Sequence, residues 1–158
     1  MDTAFWSALF ESAQPEPGAT ESQLHQLLTS IEEIMPFRGL PESYLAFLRW
    51  SNGGTFRNGS RNIRFWHCEG PRRMMVRHRF PELAPLVVPF ASNPGAGDWY
   101  GFDTSGEPVG GESPVVYIHH EIIRERMVLA PTFLDFCRGP EAPEKLYWDW
   151  WGLRHRKG

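Results

Sequence analysis

Residues 40–54, LPESYLAFLRWSNGG, carry a helix together with its start and its stop, and so fix where one layer of any fold must lie. Pro41 suits a first helical turn, where its missing N–H costs nothing, and Glu42 favours the positive end of the dipole. Tyr44, Phe47, Leu48 and Ser51 recur at i, i+3, i+4 and i+7, with Leu45 widening the apolar face. Asn52-Gly53-Gly54 enters left-handed backbone cheaply and ends the helix. Further on, residues 95–103, GAGDWYGFD, form a glycine turn that launches a short aromatic strand ending in Asp103.

Around these two stretches the chain predicts helices, then strands, then helix again. Phe5, Trp6, Leu9, Phe10 and Ala13 make a first apolar stripe, which residues 14–18, QPEPG, terminate. Thr20 and Gln23 form a capping box for a second helix whose face is Leu24, Leu27, Leu28, Ile31, Ile34 and Met35, stopped at Pro36. A hairpin follows, residues 55–57 with 63–66 about Asn58-Gly59. Residues 72–80 read as an irregular helix, and 86–91, 99–103, 115–119 and 127–130 as strands. Helix returns at Pro131 and ends near Gly139, and from Lys145 on the pattern is ambiguous. This order predicts an α+β fold: a mainly antiparallel twisted sheet packed against N-terminal helices, with a C-terminal helix.

The helix ending in NGG, the Gly97-Asp98 strand through Asp103, the strand 115–121 and the helix at Pro131-Thr132-Phe133-Leu134-Asp135-Phe136 occur in the order of a known pattern. The chain resembles the SUKH superfamily, which includes fungal Smi/Knr-type regulators of cell-wall synthesis and bacterial immunity proteins. The resemblance spans residues 40–138. Length predicts a single domain over 1–158, with N-terminal helices in 1–39, the family-like core in 40–138 and an aromatic, basic tail in 139–158 that has no counterpart in the family pattern. The resemblance implies a non-catalytic bacterial immunity protein, which occludes a cognate nuclease or deaminase toxin. The alternatives are a regulatory scaffold of the fungal kind, or a small metal-dependent hydrolase built on residues 119–121.

Composition agrees with one soluble domain: 158 residues, 41% apolar and 22% charged. The N-terminus shows no signal peptide, and the most apolar stretch, residues 83–91, is short and broken by Pro85 and Pro89. A cytoplasmic chain without a membrane partner is expected. Cys68 and Cys137 then read as reduced thiols. The net charge of −3 hides a segregation. Residues 57–79 hold seven arginines against Glu69, whereas 80–123 hold six acids and no Lys or Arg. Either the two segments pair across neighbouring strands, or they form separate patches, of which the acidic one attracts a basic partner. Arginine is the chain's general choice of base and no nucleic-acid motif accompanies it, so direct binding of nucleic acid is not expected.

No catalytic set is visible. Adjacent side chains on a strand face opposite ways, so His119 and His120 do not share a metal in an extended strand, and the H-E-x-x-H spacing is absent. Gly95, Gly97 and Gly101 lead into a strand, not out of one into a helix, which excludes a dinucleotide loop. Asp98 and Asp103 can each be spent on local backbone N–H groups. The expectation is therefore no catalysis, no cofactor and no metal. A partner-binding surface of Asp98, Trp99, Asp103 and Glu121 should meet a basic toxin domain, and the protein should be a monomer or weak homodimer. The Trp-rich tail, residues 146–151, either packs back on the sheet or dimerises. Residues 154–157 form a solvated end.

Overall fold

The computed structural model describes residues 2–139 and 142–156. Among them, α1 (Thr3–Ala8) leads into β1 (Ser12–Pro15), then α2 (Glu21–Glu32) and α3 (Glu42–Trp50). The hairpin β2 (Gly54–Asn58) and β3 (Arg61–Phe65) follows, then α4 (Gly70–Arg77) and α5 (Phe80–Leu83). Strands β4 (Val87–Asn93), β5 (Asp98–Asp103), β6 (Val115–Ile118) and β7 (Arg126–Ala130) precede α6 (Phe133–Arg138) and α7 (Pro143–Arg154). The seven strands form one sheet in the order β1 to β7, and every pairing is antiparallel. The α+β architecture is as the sequence indicates.

Local signals act where they were read. The Thr20 hydroxyl accepts the Gln23 N–H while the Gln23 side chain accepts the Thr20 N–H, closing the capping box on α2. Gly53 and Gly54 take φ of 99° and 111°, which L side chains rarely adopt. The NGG turn also fastens the N-terminal segment. Ser51 Oγ accepts the Glu16 N–H, Asn52 donates its N–H to the Pro17 carbonyl, and Asn52 Oδ1 accepts the Cys68 N–H.

Four expectations change. Helix α1 stops at Ala8, and Ala13, Gln14 and Pro15 lie in β1 against β2, so the first stripe joins a helix to an edge strand. The irregular helix splits at Arg79, whose φ is +59°, into α4 from Gly70 and α5 from Phe80. Pro131 precedes its helix: Thr132 is the cap, accepting the Asp135 N–H. The tail is helical from Pro143, with Tyr147 buried on Tyr117, so its first half packs back on the sheet. Lys157 lies outside the described residues.

The two faces of the sheet are covered by different helices. Tyr44 and Phe47 of α3 meet Phe56, Phe65, Phe90 and Phe102, and α6 inserts Phe133 and Phe136 beside them. Trp99, of opposite parity to Phe102 on β5, instead meets His78 and Phe80 where α4 gives way to α5. Helix α2 packs on α3 and α4, with Leu27 and Ile31 buried.

Candidate functional site: an aspartate-braced histidine turn beside helix α7

Strand β6 ends at Ile118, and the chain turns at once, the Ile122 N–H donating to the His119 carbonyl. Strand alternation therefore does not govern His119 and His120. Their rings stack with centroids 4.6 Å apart, and both approach Asp98, the first residue of β5. Asp98 is 2% exposed and carries the bracing. Its Oδ1 accepts the His120 N–H at 3.0 Å and contacts His120 Nδ1 at 2.6 Å, while Oδ2 accepts the Tyr117 hydroxyl. A buried carboxylate needs such a full set of donors. Burial raises the Tyr117 phenol, and Asp98 raises it further, so the hydroxyl stays protonated and donating.

Helix α7 closes the other side. Glu144 in its first turn accepts from the Asn93 amide at 2.7 Å, and the same amide reaches the Tyr117 hydroxyl at 3.4 Å. Tyr147 stacks on His119, and burial pushes its phenol up to about 12, with Glu125 and Asp98 adding to the shift. Trp148 meets His119 edge-on at 4.9 Å and remains 47% exposed. The turn so held presents the exposed His120 and Glu121 beside an exposed tryptophan.

The four residues expected to share one surface divide between positions. Asp98 and Trp99 are neighbours on a strand and face opposite sides, both buried, so they do not form one exposed surface as expected. Asp103, half-buried, is engaged by Arg126 at 3.0 Å and by the Ser105 N–H and hydroxyl. Burial alone would raise this carboxyl, but the Ser105 bonds and Arg126 outweigh it and hold the group below the usual carboxylate range. Glu121 is exposed, with no side-chain partner among the described residues. Trp148 was legible only as one of several tryptophans in excess of core needs.

The charge segregation resolves in a third way. Between the two segments the ion pair is Arg79–Glu82, among the described residues. The other partners lie elsewhere: Arg57 with Glu11, Arg72 with Glu33, Glu107 with Arg38, Asp103 with Arg126. Arg64 and Arg73, without an ion pair among the described residues, line a cleft of about 670 Å³ together with Phe65, Trp66 and Glu69. Cys68 is buried and its thiol is pushed up to about 11, first by burial and then by Glu69; burial likewise raises the Cys137 thiol well above its ordinary value. Neither is a nucleophile at neutral pH. No described helix is long and apolar enough to cross a membrane.

The molecule is a seven-stranded antiparallel α+β domain with the histidine turn at the shared end of β5 and β6. The family model described as SMI1 / KNR4 family (SUKH-1) matches residues 18–139, most of the chain, and the chain belongs to that family. Members are in general non-enzymatic immunity or regulatory domains that bind partner proteins. No curated protein matches the chain significantly.

Proposed function

We propose that this chain is a bacterial immunity protein, cytoplasmic and without chemistry of its own, that neutralises a cognate nuclease or deaminase toxin by seating directly on it. The observation that carries the reading is the exposed Trp148 set against the braced His120–Glu121 turn. An aromatic anchor in a rigid frame, with free charge at its rim, is the composition of a protein-binding hot spot. Pre-ordering by Asp98 and Tyr147 lowers the entropy lost on association. Glu121 supplies the unpaired carboxylate that would meet the basic cleft of a nucleic-acid-processing domain and speed encounter. Asp98 serves that surface from beneath it, whereas Trp99 on the opposite face and Asp103 at the far end of β5 are left to other contacts. The membership in a partner-binding family supports the same reading.

The test is capture of the product of the adjacent gene, followed by growth rescue when both are expressed. The expected result is a stable complex that restores growth, with association slowing as salt rises. A neighbouring product that neither binds nor kills would turn the reading towards a regulatory scaffold.

A further inference from the structure

We propose that Asp98, His119 and His120 bind one divalent transition-metal ion, zinc foremost. Each residue offers one ligand atom, and the three atoms lie within 4.8 Å of one another. They arrive from two elements: Asp98 opens β5, and the histidines follow the last residue of β6. Asp98 Oδ1 stands 2.6 Å from His120 Nδ1 and 4.0 Å from His119 Nε2. Two ligand atoms held at about 2.0–2.1 Å on a tetrahedral zinc are roughly 3.3 Å apart. One separation therefore opens and the other closes by about 0.7 Å, and the two stacked rings must also turn so that both nitrogen lone pairs point at one ion. Two imidazoles with one carboxylate suit zinc and its neighbours in the first transition row, whereas calcium and magnesium call for oxygen throughout.

The surroundings fit this use. Asp98 is already stripped of water, so an ion arriving there need not displace a hydration shell from the carboxylate. The Tyr117 hydroxyl on Oδ2 leaves Oδ1 to the ion and orients the ligand from behind. The His120 side chain is 43% exposed, which provides entry and directs the remaining coordination position to solvent. Binding at Nδ1 leaves the neutral His120 ring with its proton on Nε2, exchanged through solvent. His119 moves its ring proton from Nε2 to Nδ1 through solvent and gives up the 3.2 Å bond from the Glu121 N–H. The ion would clamp the turn to β5. The inference shares the Asp98–His120 turn with the toxin-binding reading, but the free chain is what is titrated, so the failure of one is distinguishable from the failure of the other.

Protein stripped with chelator and carrying no affinity tag is titrated calorimetrically with zinc and with cobalt(II), and the cobalt complex is examined by visible and X-ray absorption spectroscopy. The expected result is one ion per chain, bound tighter than about 100 μM, with imidazole scattering in the absorption spectrum. His119→Ala and His120→Ala should each weaken binding at least about tenfold, while His25→Ala, on exposed α2, should not. Circular dichroism checks that each variant is folded, and Asp98→Asn provides a variant of unchanged shape. Weaker or substoichiometric binding, or binding that survives loss of both His119 and His120, overturns the proposal.

Discussion

Asp98 and Trp99 sit side by side in the sequence, yet a strand sends them to opposite faces: Asp98 to the histidine turn, Trp99 to His78 and Phe80. On sequence the strand begins at Trp99 and both residues fall on one surface, so this division was missed although strand alternation implies it once Asp98 joins β5. What no local rule shows is that the partner of Asp98 lies 22 residues on, or that β6 ends one residue before the histidines. Asp103 behaves more locally, as its aspartate-turn reading implies, by accepting the Ser105 N–H two residues away. Its carboxyl is held low in the folded chain, so its stabilising contribution is complete above the ordinary carboxylate value of about 3.9 and is lost as pH falls through the lower folded value. Urea titrations of the wild type and Asp103→Asn should accordingly show a stability gap at pH 6 that narrows in acid. A gap independent of pH would mean that the Arg126 and Ser105 bonds hold no ionised carboxylate.

At the scale of elements, those with strong periodicity or caps declared themselves and those without did not. Helix α2 has its capping box and helix α3 its stripe, and both were readable. Strand β1 is four residues long, mostly exposed and ends in proline; only its pairing with β2, across two intervening helices, makes it a strand. Helix α7 is apolar on several sides, with Leu146, Trp148 and Leu153 all exposed, so no single stripe marks it. Residues 14–18 were read as a helix terminator, but Gly18 has a tighter duty. A Cβ there would stand 2.0 Å from the Arg49 carbonyl oxygen near the end of α3, whereas one at Gly106 would meet nothing within 4 Å. Gly18→Ala should therefore cost about 1–3 kcal/mol or more in urea-measured stability, and Gly106→Ala far less. Equal losses at the two sites would show that the approach of residue 18 to α3 is not tight.

For the whole molecule, the order of elements carried more than any one motif. Consecutive strands after a helical start imply a meander, and the sheet runs β1 to β7 in sequence order. The core follows from it: Phe47 and Leu48 of α3 are fully buried over the sheet, where one side chain touches many. Leu48→Ala should cost about 2–5 kcal/mol, read as a lowered denaturation midpoint with unchanged cooperativity. A loss well under 1 kcal/mol would place α3 outside the main core. The functional surface was only half legible, because it is assembled from β5, the turn after β6 and a helix whose signal was ambiguous. On the function proposed above, Trp148, framed by the braced turn, anchors the toxin partner. The most direct measurement is the affinity of the wild type and of Trp148→Ala for the product of the adjacent gene, with folding of both confirmed. The account predicts a loss of at least about 2 kcal/mol, some thirtyfold in Kd, appearing mainly in the off-rate. Unchanged affinity in a folded Trp148→Ala would contradict it.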